Sequence, residues 1–155
     1  MTPLRILFIS IEGNTRSFVN DLADYAEDEH DANADNPLIE LKEISDQTDF
    51  KDEEKPYFTF VPTYLDGGNG IDNGVKELMT NILGEYIDYH NNSKLCLGVV
   101  GSGNRNFNQQ YCLTAKRYAK RFKCPFLDNY ELRGSNADVK RIYQVMKQRA
   151  ADTIK

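Results

Sequence analysis

Short apolar runs without polar alternation recur along this chain, and most are followed by residues at helical spacing. Leu4–Ser10 (LRILFIS), Tyr57–Val61 (YFTFV) and Leu95–Val100 (LCLGVV) are the clearest. A strand that is apolar on both faces must be covered on both faces, which is the condition of a parallel sheet sandwiched between helices. The intervening segments supply those helices. Phe18, Val19, Leu22, Ala23 and Ala26 form one stripe, with Asn14 or Thr15 as its cap and the acidic stretch from Glu27 to Asn36 as its end. Val75, Leu78, Met79, Ile82, Leu83, Tyr86 and Ile87 trace a second face. Cys112, Ala115, Tyr118, Ala119 and Phe122 mark a third, and Val139, Ile142, Tyr143, Met146 and Ala150 a fourth. Leu38–Ile44, after Pro37, and the segment Pro125–Leu132 complete the strands, while Ser45–Lys55 reads as an acidic, solvated loop.

The order is strand, helix, strand, strand, helix, strand, helix, strand, helix. It predicts an α/β three-layer sandwich, with a five-stranded parallel sheet in the order 2-1-3-4-5 and helices on both faces. The 155 residues suit one domain, 1–155, and 40% apolar with 28% charged residues is globular composition. No apolar run reaches the length of a membrane span. The opening MTPLRILFIS leads into a glycine turn without a small-residue cleavage site, so it reads as a first strand in a protein that stays in the cytoplasm. Cys96, Cys112 and Cys124 form no C-x-x-C and read as small buried hydrophobes in a reducing compartment. His30 and His90 lie in polar surroundings and read as surface residues, so no metal site is expected.

The net charge of −5 conceals a division. Residues 1–93 carry 20 acidic and 6 basic side chains, a balance of −14, whereas residues 94–155 carry 4 and 13, a balance of +9. Such asymmetry points to an oriented encounter with a charged partner, unless two sets of solvated helices simply differ in sign.

In an open parallel sheet, ligands bind beyond the carboxyl ends of the strands, where the strand order reverses. Three segments should meet there. The first, Ser10, Ile11, Glu12, Gly13, Asn14 and Thr15, closes a strand and opens a helix, so its amides and hydroxyls suit a phosphate. It lacks the Walker and G-x-G-x-x-G patterns, and alone it would be an ordinary strand–helix turn. The second, Pro62, Thr63, Tyr64, Leu65, Asp66, Gly67 and Gly68, runs on to Gly74 with a backbone able to pass close to a flat ligand. The third, Gly101–Phe107, adds Ser102, Gly103, Asn104, Arg105, Asn106 and Phe107. Tyr64 and Phe107 are the candidates to stack on a ring, although either would also serve as core. A phosphate end with two flat walls describes a site for FMN.

GSGNRNF, followed by a helix and then by PFLDNYELRGSNADV, resembles the NrdI family of flavodoxin-like proteins. In that family a G-[SA]-G-N-[KR]-x-[FW] segment forms a flavin-ring loop, and F/Y-E-L-x-G-[ST] recurs after the last strand. Here these are Gly101–Phe107 and Tyr130–Ser135. The phosphate loop is similar to the flavodoxin pattern [ST]-x-[ST]-G-x-T, with Glu12 in place of the middle hydroxyl. The resemblance implies FMN that takes two electrons and reacts with dioxygen to give a superoxide- or peroxide-level oxidant. It implies as partner the manganese-loaded, radical-bearing small subunit of class Ib ribonucleotide reductase, together with a flavin reductant. The chain would then be a maturation factor without an organic substrate of its own. Arg105, with no carboxylate in its loop, would favour an anionic reduced flavin, while Asp66 and Glu12 would oppose it.

Two rival readings share the fold. A general flavodoxin-type carrier of single electrons would be expected to place acids around the ring, which Gly101–Phe107 lacks. A signalling receiver needs an acidic cluster after its first strand and an aspartate after its third, where Ser10, Ile11 and Pro62, Thr63 stand instead. Asp31, Asn33 and Asp35 imitate a calcium loop, but Asn36 and Lys42 stand where the glycine and the bidentate glutamate belong. The run Lys116–Lys123 is a solvated helix face or a docking surface for an acidic protein, and no aromatic–basic code points to nucleic acid.

Overall fold

The computed structural model describes residues 2–11, 13–63, 65–66, 76–77, 81–103 and 112–153. Strand β1 (Leu4–Phe8) is followed by helix α1 (Asn14–Ala32), β2 (Ile39–Glu43) and β3 (Tyr57–Pro62). A short antiparallel pair, β4 (Leu65–Asp66) with β5 (Lys76–Glu77), precedes α2 (Asn81–Asp88) and a 3-10 turn at Asn92–Leu95. Then come β6 (Cys96–Gly103), α3 (Leu113–Phe122), β7 (Phe126–Glu131) and α4 (Asn136–Thr153).

The main sheet has five parallel strands in the order β2-β1-β3-β6-β7, which is the 2-1-3-4-5 order expected. Alternate residues of each strand enter opposite cores, as the pleat requires. Ile6 and Phe8 pack with Phe58, Phe60 and Val100 against α1 and α4, through Phe18, Leu22, Ile142 and Met146. Leu7 and Ile9 pack with Tyr57, Val61 and Val99 against α2 and α3, through Leu83, Ile87, Ala115 and Phe122. The outer strand β2 carries Glu40, Lys42 and Glu43 beside Ile39 and Leu41, and charges of this kind protect an open edge from further pairing. Among the described residues, no helix is long and apolar enough to cross a membrane.

Three local expectations change. Helix α1 runs through Glu27–Ala32 and so ends within the acidic stretch, well past its start. Its end is tied by the Asn33 amide donating to Glu29 O at 3.0 Å and by the Asn36 side chain donating to the same carbonyl. His30 closes that turn through Nδ1 and Asn36 O, 2.8 Å apart. The second helix does not start near Val75, because Lys76–Glu77 pairs with Leu65–Asp66 as a strand; Val75, Leu78 and Met79 lie outside the described residues. Finally, the Ser45–Lys55 loop is not wholly solvated. The Glu53 carboxylate is buried between Arg5 Nη1 at 2.7 Å, Lys42 Nζ at 2.8 Å and the Tyr86 hydroxyl. Asn92, also buried, accepts the Glu53 amide at 2.7 Å and donates to Lys51 O and Tyr86 O. This cluster fastens the loop against β1, β2 and α2.

Candidate functional site

The chain leaves β1 for β2 on one side and then returns to build β3 on the other. The strand order therefore reverses between β1 and β3, the place where a crevice for ligands is expected in such a sheet, and the carboxyl ends of β1, β3 and β6 lie side by side there. The ladder aligns Phe8 with Phe60 and Pro62 with Ser102, which brings the first and third candidate segments alongside the second.

Gly13 caps α1 at φ +92°, a left-handed conformation that residues with a Cβ rarely adopt. Its chain neighbours apart, no atom of the described residues lies within 4 Å of where its Cβ would stand. The first turn of α1 holds no acidic residue, so nothing there offsets the positive end of a 19-residue helix. Ser10, Asn14 and Thr15 around this turn share one polarity. Ser10 Oγ accepts the Arg16 amide at 3.2 Å, which leaves the hydroxyl proton available. Asn14 Oδ1 accepts Arg133 Nε at 3.1 Å, and because arginine only donates, the Asn14 amide nitrogen is turned elsewhere with its two protons. Thr15 is 1% exposed, and its hydroxyl has no partner. Arg16 itself is held by Glu43 in a two-pronged ion pair at 2.9 and 2.6 Å.

At the end of β3, the Thr63 amide donates to Ser102 O at 3.1 Å. Thr63 Oγ1 accepts the Thr114 amide from the start of α3, again at 3.1 Å, and its own proton has no acceptor among the described residues. Thr114 Oγ1 is, with that of Thr15, the second buried side-chain oxygen without a partner among the described residues. Pro62 and Ser102 are buried, while Gly103 O accepts the Leu132 amide, tying β6 to the turn after β7. Gly101 serves packing: a Cβ there would lie 2.5 Å from that of Ala115 in α3. Ile11 packs on the second core beside its loop. Leu65 and Asp66 contribute backbone to β4. Glu12, Tyr64, Gly67, Gly68, Asn104, Arg105, Asn106 and Phe107 lie outside the described residues.

Sequence reasoning passed over Arg133 and Thr114. Arg133 stands within the ELRGS phrase, but only folding carries it to Asn14, 119 positions away. Thr114 has no local signal, since it reads as one more polar residue in an amphipathic helix. The turn carrying Arg133 is shaped by Gly134, at φ +72°, where a Cβ would come within 2.5 Å of the Phe18 ring. Phe18 in turn stacks on Tyr130 with centroids 3.8 Å apart, so the ELRGS phrase and α1 are built as one unit.

Donors without bound acceptors, at a helix start on a strand-order reversal, are suited to an anion. Comparisons with known proteins bear on the family and the fold. A family model described as "NrdI Flavodoxin like" matches residues 6–144. A putative NrdI-like protein of Streptococcus pyogenes serotype M18 is 51% identical over 149 residues, 96% of this chain and 95% of that protein. A putative NrdI-like protein of Streptococcus pneumoniae strain R6 is 44% identical over 94% of each chain, and Protein NrdI of Mycoplasma genitalium is 27% identical over 94% of this chain and 83% of its own. Among solved structures, a short-chain flavodoxin associated with a PDU bacterial microcompartment superposes with a TM-score of 0.62 at 18% identity, covering 98% of this chain and 99% of that one. The two-electron reduced flavodoxin of Megasphaera elsdenii superposes at 0.54 and 13% identity, covering 97% and 99%. With a family model that matches residues 6–144, relatives as much as 51% identical and a sheet order in keeping with them, the chain belongs to the NrdI flavodoxin-like family.

Proposed function

We propose that this protein binds FMN at the carboxyl edge of its sheet and works in the cytoplasm as the flavin protein of a class Ib ribonucleotide reductase system. The observation that carries the cofactor assignment is the Thr15 hydroxyl, buried without a partner in the first turn of α1. Burying a hydroxyl without a hydrogen bond costs about 1–3 kcal/mol, and a bound phosphate would remove that cost. Ser10 and Asn14 fit the same ligand, since each has its acceptor engaged within the protein and keeps donors for phosphate oxygens. Thr63 and Thr114 extend the polar floor toward the ring end, where Pro62–Gly68 and Ser102–Phe107 would form the walls. When bound, FMN would supply two-electron storage and, once reduced, a reaction with dioxygen that gives superoxide or peroxide. The recipient would be the manganese-loaded small subunit, whose metal pair needs such an oxidant to generate its tyrosyl radical. Family membership supports this partner, and the charge division of the chain supports an electrostatically guided encounter with it.

Two measurements test the proposal. Titration of the flavin-free protein with FMN and with riboflavin should give saturable quenching of flavin fluorescence, with FMN bound at least roughly tenfold more tightly because of its phosphate contacts. Equal affinities would move the phosphate away from Ser10–Thr15. The reduced, FMN-loaded protein should then generate tyrosyl radical in a manganese-loaded small subunit under dioxygen. Absence of radical, with efficient electron delivery to other redox enzymes, would make the protein a general electron carrier.

A further inference from the structure

Far from the crevice, at the opposite end of the sheet, two sulfur atoms meet. Cys96 opens β6, and Cys124 lies in the short connection between α3 and β7. The Cys124 thiol donates to Cys96 Sγ across 3.5 Å, although 28 positions separate them in sequence. Thr59 Oγ1 stands 3.4 Å from the same Cys96 sulfur, and Arg149 Nε is fixed on the neighbouring Leu97 carbonyl at 2.7 Å. We propose that Cys96 and Cys124 form a peroxide-responsive dithiol that closes reversibly to a disulfide.

The surroundings divide the roles. A thiolate on Cys96 is favoured by the Cys124 hydrogen bond, by Thr59 and by the Arg149 charge, which together hold its thiol below the usual cysteine range despite burial. Cys124 shifts the other way, because its proton is held in the bond to Cys96 and burial adds to that. Because the Cys124 thiol donates to Cys96 Sγ, and Thr59 and Arg149 gather beside that same sulfur, Cys96 is the attacking sulfur and Cys124 the resolving one. In the first step the Cys96 thiolate attacks one oxygen of hydrogen peroxide, forming a sulfenic acid and releasing hydroxide. In the second the Cys124 sulfur displaces that hydroxyl, and its proton leaves with it as water. Two thiols and one peroxide thus give one disulfide and two waters. A thiol reductant of the thioredoxin or glutathione class reverses the change.

Closing the pair shortens the sulfur–sulfur distance by about 1.5 Å. Both backbones can supply that movement, since both residues sit where elements end. Cys96 follows the Asn92–Leu95 turn, and Cys124 follows Lys123, which leaves α3 at φ +56°. Cys96 is buried, at 8% exposure, and Cys124 beside it is partly exposed, so the pair meets solvent at Cys124. Cys112, fully buried against β6, is outside the pair. The inference stands whether or not the protein holds a flavin, because the oxidant can come from any source.

The test uses the reduced full-length chain and added hydrogen peroxide. At near-stoichiometric peroxide, thiols counted after denaturation should fall from three to one, with a mass loss of two hydrogens that dithiothreitol restores. A non-reduced digest should contain a Cys96–Cys124 cross-link. Cys124→Ser should stop at a sulfenic acid on Cys96 that dimedone traps, while Cys96→Ser should react roughly tenfold more slowly. Persistence of all three thiols in the wild-type protein, a cross-link through Cys112, or oxidation of Cys96→Ser at the wild-type rate would each overturn the proposal. The wild-type digest decides it even if a variant fails to fold.

Discussion

Thr15 occupies a position where stability and binding pull in opposite directions. Its hydroxyl is buried without a partner, so Thr15→Ala should leave the flavin-free protein as stable as before, or slightly more so. The same substitution combined with Ser10→Ala should weaken FMN binding by about 1–3 kcal/mol through the loss of charge-assisted hydrogen bonds. Thermal melting without flavin and fluorescence titration with it measure the two effects separately. Glu53 shows the reverse case, a buried charge that accepts three hydrogen bonds. Burial alone would raise its carboxyl, but hydrogen bonds from Lys42, Tyr86 and Arg5 outweigh that and hold it at about 2. Because the folded value is depressed, its contribution is complete above the ordinary carboxylate range and is lost as pH falls from about 4.5 toward 2. Glu53→Gln should therefore flatten the acid limb of a stability–pH profile in that window. At neutral pH it should cost stability at the low end of about 3–5 kcal/mol, because Arg5 and Lys42 keep some solvent access. Urea unfolding at pH 7 and at pH 3 would measure both. None of this was visible in Ser45–Lys55, which looked like solvated loop because its partners come from β1, β2 and α2.

At the scale of elements, the glycines of β6 separate two kinds of close packing. At Gly101 a methyl group would stand 2.5 Å from Ala115 Cβ and 3.1 Å from Cys112 Cβ, atoms that cannot move without shifting α3. At Gly98 the obstacle is the end of the Leu127 side chain, which can change rotamer. Gly101→Ala should thus destabilise by about 1–3 kcal/mol, and Gly98→Ala by clearly less, in the same denaturant titration. Gly101→Ala should also weaken FMN binding, since α3 positions Thr114 over Thr63. The glycine pattern GSG was legible as a loop signal, but Gly101 belongs to a strand, and its reason is the approach of a helix. The helices were legible from spacing. Their ends were less so, because α1 is extended by His30 and Asn36, and β4–β5 claims residues that seemed to open α2.

For the whole molecule, charge distribution is the feature that bears on partners. On α3 and at its end, Lys116, Lys120 and Lys123 are exposed, whereas Arg121 is already paired with Asp88 of α2. If this face guides docking, Lys116→Glu with Lys120→Glu should keep flavin binding and the reaction with dioxygen in free solution. Activation of the manganese-loaded subunit should fall and lose its salt dependence. In the wild-type protein, association should slow as salt rises, because screening sets in beyond about 8–10 Å at physiological ionic strength. Stopped-flow association across a salt series would test this, and an unchanged radical yield from the double variant at low concentration would remove α3 from the interface. Arg121 is left out of the variant, since replacing it would also break a contact between two helices.

The amino-acid sequence by itself determined the layers, the parallel sheet and the end of that sheet at which a ligand belongs. Those follow from local periodicity: two-faced apolar runs require cover on both sides, and glycine with hydroxyl residues must lie where strands pass into helices. Family membership was legible for the same reason, since GSGNRNF and YELRGS are contiguous in the chain. Only the tertiary structure decided which hydroxyls lack partners, that Arg133 turns Asn14, that Glu53 is buried among three donors, and that Cys96 faces Cys124. Each of these depends on atoms brought together from distant positions, and hydrogen bonds of a few ångströms leave no periodic trace in sequence.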